Sequence, residues 1–148
     1  MYRIDENIWQ GGYPKKLPEG CTAIINLCPH REKPCDYPRL KRKVHVYLPI
    51  YDGPSPGLKW LEMAVGIMKA LVKGGHVVYV HCRAGWSRSV MLVCAYLIDK
   101  YNLTVDGAID KVSLINSEAD PARNFVSLLA EYKLTLVPPD FSPESPAG

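Results

Sequence analysis

One stretch of nine residues concentrates the reactive side chains of this chain: His81-Cys82-Arg83-Ala84-Gly85-Trp86-Ser87-Arg88-Ser89. It follows the β-branched run Val77-Val78-Tyr79-Val80 and precedes the apolar run from Val90 to Ile98, so it reads as a strand, a tight loop and the start of a helix. A helix N-terminus offers unpaired N–H groups and the positive end of its dipole, which suits an anion. Cys82 lies at the mouth of that loop. A thiol there gives up its proton readily, because the same N–H groups stabilise the thiolate. Gly85 lets the backbone bend into a cradle of amides from Arg83, Ala84, Gly85, Trp86 and Ser87. Arg88, six residues after the cysteine, can close the ring and hold a phosphate through two parallel N–H bonds. Ser89 can donate a hydrogen bond to the sulfur and make it a better leaving group in a second step. His81 is read as orienting the loop through the backbone and not as a base. Together these residues describe phosphoryl transfer to sulfur, with no metal and no other cofactor implied.

The pattern C-x5-R inside H-C-x-A-G-x-S-R-S resembles the active-site loop of the cysteine-dependent protein tyrosine phosphatases, and Ala-Gly-x-Ser-Arg-Ser resembles their dual-specificity branch. Asn7-Ile8-Trp9-Gln10-Gly11 is similar to that family's first strand, and the order of elements matches to about Tyr132. Trp86 departs from the family pattern, since the position often holds a smaller residue; it would alter access to the pocket or stack on an aromatic substrate. The resemblance implies a general acid some thirty residues before the cysteine. Asp52 stands thirty residues before Cys82, in the loop Tyr51-Asp52-Gly53-Pro54-Ser55-Pro56-Gly57, with Asp36 and Asp120 weaker by spacing. A plain turn aspartate is the alternative for Asp52. Arg83 adds positive charge at the loop floor, as a polyanionic head group would use.

These residues need a scaffold to hold them. Four runs read as strands: Asn7–Gln10, Thr22–Leu27, the alternating Val44, Val46 and Leu48, and Val77–Val80. Four runs read as helices. The first spans about Gly57 to Lys73 with Leu58, Leu61, Val65, Met68 and Val72 on one face, and the second about Ser87 to Tyr101. The third is capped by Thr104 and buries Ala108, Ile109, Val112 and Ile115. The fourth has Asp120 as N-cap and Pro121 at its first position, with Phe125, Leu128, Leu129 and Tyr132 inward. The expected fold is α/β: a central, mostly parallel twisted sheet of four to five strands flanked by helices. Residues 1–137 make one catalytic domain, and 138–148, rich in proline, form a frayed tail.

Composition narrows the alternatives. With 148 residues, 47% apolar and 22% charged, the chain is an ordinary globular domain. A net charge of +3 is too weak for a dedicated nucleic-acid binder. The longest apolar run is nine residues, so no integral membrane segment is expected. The first residues carry early acids and no apolar stretch, so no secretory signal is read there, and five scattered cysteines without a C-x-x-C pair fit a reducing cytoplasm. Arg39, Lys41, Arg42 and Lys43 form a basic run. It is most simply a solvated stretch, and otherwise a weak attractor for an acidic substrate or an anionic membrane face.

The leading function is hydrolysis of phosphomonoesters on phosphotyrosine, phosphoserine or phosphothreonine proteins through a phosphocysteine. The alternative on the same scaffold is a phosphoinositide or phospholipid phosphatase. A catalytically silent phosphate-reading module is the other class, and the intact Cys82, Arg88 and Asp52 speak against it. Ile24-Ile25-Asn26-Leu27-Cys28 and Val78-Tyr79-Val80-His81-Cys82 both read as strands ending in cysteine. If they are parallel neighbours, Cys28 lies beneath the phosphate loop and could trap an oxidised Cys82 as a reversible disulfide. The other reading of Cys28 is a packed strand-end thiol.

Overall fold

The computed structural model describes residues 1–29 and 43–136. Five strands, β1 (Tyr2–Asp5), β2 (Ile8–Gly11), β3 (Ala23–Asn26), β4 (Val44–Tyr47) and β5 (Val78–His81), form one sheet in the order β1-β2-β5-β3-β4. Only the β1–β2 pair is antiparallel; β2–β5, β5–β3 and β3–β4 run parallel. The sheet is therefore mixed and mostly parallel, as expected from alternating strand and helix patterns. β1 is not among the strands expected from the sequence. Of its four residues only Ile4 is buried, so this edge strand carries almost no apolar signal of its own.

Among the described residues four helices follow: α1 (Leu58–Lys73), α2 (Arg88–Tyr101), α3 (Val105–Ile115) and α4 (Arg123–Leu136). They pack on one face of the sheet, against Ile8, Ala23, Ile25, Leu27, Val78, Val80 and Cys82. Strand alternation sends Ile24 and Tyr79 to the other face, where Trp9, Leu17 and Cys21 cover them. Every residue of α2 from Arg88 to Ile98 is buried, because this helix is wedged among the sheet and the three other helices. The loop from Cys82 to Ser87 thus leads from a central strand into a central helix. Both ends are held by core packing.

Two helix details depart from expectation. Ile115 is 43% exposed and Ile109 only partly buried, so α3 buries Ala108 and Val112 fully but not the other two apolar residues of that face. Helix α4 does not start at Asp120-Pro121. The Asp120 N–H is committed to the Trp86 carbonyl at 2.7 Å, and the Ala122 carbonyl accepts the first helical bonds from Phe125 and Val126. The inward face of α4, Phe125, Leu128, Leu129 and Tyr132, is buried. Among the described residues no helix is long and apolar enough to cross a membrane. Asp36, Arg39, Lys41, Arg42 and the tail 138–148 lie outside the described residues; Lys43 donates to the Cys21 carbonyl.

Candidate active site

β5 ends at His81, and Cys82 is the first residue of the loop that enters α2. The loop is held from behind by its own carbonyls. The Arg83 carbonyl accepts from Tyr13 N–H at 2.9 Å, and the Trp86 carbonyl from Asp120 N–H. The Cys82 carbonyl accepts from His81 Nδ1 at 3.2 Å, and the Gly85 carbonyl from Gln10 Nε2 at 2.8 Å. With these carbonyls engaged outward, the loop N–H groups are what remains to face the pocket. Ser87 stands at the N-cap of α2 but makes no side-chain cap bond; its Oγ accepts from Ala122 N–H at 2.8 Å instead. The first turn of α2 is left without a side-chain cap, which favours an anion there.

Gly85 has to be glycine. Its φ is 82°, and a Cβ would lie 2.4 Å from Gly12 N and 2.6 Å from Gly11 C. The loop and the end of β2 are in backbone contact, and no side chain fits between them.

A cavity of about 240 Å³ opens on this loop, and its walls include Cys82, Trp86, Arg88, Asp52 and Asp120. Cys82 is 2% exposed and Arg88 5%, whereas Trp86, at 52%, stands at the rim. Cys82 Sγ lies 3.1 Å from Ser89 Oγ. Arg88 Nη1 donates to the Ile50 carbonyl at 3.0 Å, and Asn124 donates to the Gly53 carbonyl at 3.0 Å. These two bonds pin the loop that carries Asp52 from either side. Asp120 reaches the same cavity from the segment between α3 and α4, although its spacing made it the weaker choice. Arg83 is exposed and does not line the cavity, so it does not form part of the cavity floor as expected.

His81 is fully buried on the opposite face of the sheet from the helices, stacked on Tyr79 and edge-on to Tyr13, each ring centroid 5.6 Å away. A carbonyl can only accept, so Nδ1 carries the ring proton. Burial pushes its pKa from 6.5 down to about 4. A neutral His with a depressed folded pKa stabilises the fold at pH above 6.5 and loses that contribution as pH falls toward 4, because the unfolded chain protonates first. The loss should reach about 2.5 kcal/mol near pH 4.5. Urea midpoints at neutral pH and near pH 4.5 should therefore converge in His81→Gln. An equal drop in wild type and variant would assign the acid sensitivity elsewhere.

The parallel β3–β5 pairing sets Asn26 beside His81, and the Leu27 N–H continues the ladder to the His81 carbonyl at 2.9 Å. Leu27 thus lies opposite Cys82, and alternation directs Cys28 to the other face. Both thiols are buried, and neither is in a disulfide.

Two residues of the site escaped the sequence reading. Gln10 and Asn116 are buried behind the loop and bonded to it. The signal for Gln10 was its place two residues after Ile8, on the same face of β2. Asn116, the C-cap of α3, carried no comparable signal.

A cavity lined by a cysteine, an arginine and a helix N-terminus, on a mostly parallel sheet, defines a cysteine-dependent phosphatase. Residues 14–135 match the dual specificity phosphatase catalytic domain, and the chain belongs to that family of hydrolases. Mouse Dual specificity phosphatase 28 is 30% identical over 125 residues, covering 84% of this chain and 77% of that one. Human Dual specificity protein phosphatase 6 is 44% identical over 118 residues; these cover 79% of this chain but only 30% of that longer protein. Among solved structures, PTPMT1 in complex with PI(5)P superposes with a TM-score of 0.80 at 27% identity, covering 90% of this chain and 94% of that one.

Proposed function

We propose that this chain hydrolyses phosphomonoesters on phosphoproteins through a phosphocysteine at Cys82. The observation that carries the reading is one cavity walled by Cys82, Arg88 and Asp52, with Ser89 Oγ 3.1 Å from the sulfur. The Cys82 thiolate attacks phosphorus; the P–S bond forms as the P–O bond to the leaving alkoxide or phenolate breaks. Asp52 gives that oxygen its proton. In the second step water attacks phosphorus, Asp52 takes the water's proton, the P–S bond breaks and inorganic phosphate leaves. Arg88 and the loop N–H groups hold the three equatorial oxygens throughout. Turnover of phosphopeptides well above that of phosphoinositides, lost in Cys82→Ser, is the expected result.

The lipid alternative draws support from the likeness to PTPMT1 in complex with PI(5)P. Two carboxylates on the cavity wall and an Arg83 that does not line it favour the protein reading, since a polyanionic head group would meet Asp52 and Asp120. Faster turnover of phosphoinositides would reverse this choice. Reduced Cys21, Cys28, Cys82 and Cys94 suit a reducing compartment such as the cytosol. Cys28 as a resolving thiol for oxidised Cys82 belongs to the same reading, at a geometric cost. Strand alternation separates their side chains, so the bridge requires the backbone after Leu27 to rearrange.

Asp52→Asn should cost most on substrates with poor leaving groups. An aryl phosphate with an activated phenol needs little proton donation and should suffer less. Equal losses on both substrate types would move the acid role to Asp120, which shares the cavity.

A further inference from the structure

Behind the phosphate loop lies a buried amide pair that the reaction described above does not use. Gln10 is 0% exposed and Asn116 1%. Gln10 Nε2 donates to the Gly85 carbonyl and to Ser89 Oγ, both at 2.8 Å. Gln10 Oε1 accepts from Asn116 Nδ2 at 3.0 Å. Asn116 Nδ2 gives its second proton to the Gly85 carbonyl at 3.1 Å, and Asn116 Oδ1 accepts from Glu118 N–H at 3.1 Å. All four amide protons have an acceptor, and both amide oxygens have a donor. The arrangement also fixes orientation. A flipped Gln10 would set its oxygen against the Gly85 carbonyl and its NH₂ against that of Asn116.

Ser89 sits between this pair and the nucleophile. Its Oγ is 3.1 Å from the Gly11 carbonyl and 3.1 Å from Cys82 Sγ, and it has one proton to give. With the sulfur protonated, S–H donates to Ser89 Oγ and the hydroxyl proton goes to Gly11. With the sulfur negative, the hydroxyl proton turns to the sulfur. A hydroxyl that accepts from an amide N–H is polarised and donates more strongly. The Gln10 N–H therefore favours the second arrangement, both before attack and when the phosphocysteine breaks and sulfur takes back the electron pair of the P–S bond.

We propose that Gln10, held by Asn116, is a positioning residue for the nucleophile: it directs the Ser89 hydroxyl onto the Cys82 sulfur. The proposal rests on the phosphocysteine reading for its kinetic consequence but not for its direct test, which needs no substrate. The charged and titratable groups around the sulfur are Arg88, Asp52 and Asp120 in the cavity and Tyr79 and His81 on β5. A neutral substitution at Gln10 leaves all of them in place.

Gln10→Met fills a similar volume without the amide. Alkylation of Cys82 by iodoacetamide, followed across pH by mass spectrometry of the peptide, should become about three- to tenfold slower on the acid side, the worth of one hydrogen bond. In a pre-steady-state assay with p-nitrophenyl phosphate, breakdown of the phosphoenzyme should slow by a similar factor and more than its formation, so the intermediate accumulates. In a Ser89→Ala background the same substitution should change alkylation no further, because the effect travels through that hydroxyl. Asn116→Ser offers a milder perturbation, with a smaller slowing of the same sign that also vanishes with Ser89→Ala. It decides the matter if Gln10→Met does not fold. Unchanged alkylation in a folded variant, or a change of equal size without Ser89, overturns the proposal. A wild type that alkylates as described but releases no nitrophenol would instead sink the phosphatase reading and leave the role of Gln10 intact.

Discussion

Cys82→Ser is expected to abolish turnover of p-nitrophenyl phosphate, with a fall in kcat of at least about 10⁴-fold, as for removal of other catalytic nucleophiles. A serine hydroxyl stays protonated where a thiolate forms, so the attacking group is lost. The surroundings are not lost with it. The outward bonds from the loop to Tyr13, Gln10 and Asp120 involve neither the sulfur nor its proton. The variant should therefore fold normally and still bind vanadate. Serine is also close enough in size to keep a contact with Ser89 Oγ. Residual activity well above that limit, in a preparation free of wild-type enzyme, would remove Cys82 from the mechanism.

Arg88→Lys should lower kcat by at least about 100-fold, by analogy with the loss of a preorganised oxyanion donor. Lysine carries the charge but cannot make two parallel N–H bonds to the equatorial phosphate oxygens. The side chain has a second task that compounds the loss. Arg88 Nη1 also donates to the Ile50 carbonyl, two residues before Asp52, so the guanidinium ties the Cys82 loop to the loop that carries Asp52. Lysine has one nitrogen for both duties. The loss should thus exceed what phosphate binding explains, and Arg88→Lys and Asp52→Asn should combine to less than the sum of their separate costs. Full additivity would show that the two groups act independently. A rise in KM with kcat unchanged would restrict Arg88 to ground-state binding.

Much of this was legible in the chain itself, for a local reason. Cys82, Gly85, Arg88 and Ser89 lie within eight consecutive residues, so a strand, a tight turn and a helix start bring them together almost regardless of the rest of the fold. The α1 face and the inward side of α4 follow from a 3.6-residue period, a property of one segment at a time. What the sequence left open depends on partners far along the chain. β1 is a strand because β2 offers it hydrogen bonds, not because its own residues demand burial. Asp120 and Pro121 carry the local signature of a helix start. The loop takes the Asp120 N–H for the Trp86 carbonyl and the Ala122 N–H for Ser87, and the helix begins later. Gln10 reaches Ser89 across 79 residues and Asn116 reaches Gln10 across 106, and no period or spacing encodes such a meeting. Sequence alone determined that Cys82, Gly85, Arg88 and Ser89 meet in one loop, because covalent proximity delivers them. Tertiary structure decided which carboxylates share the cavity and which buried amides steer the serine proton, because only packing of distant segments excludes the water those groups would otherwise bond.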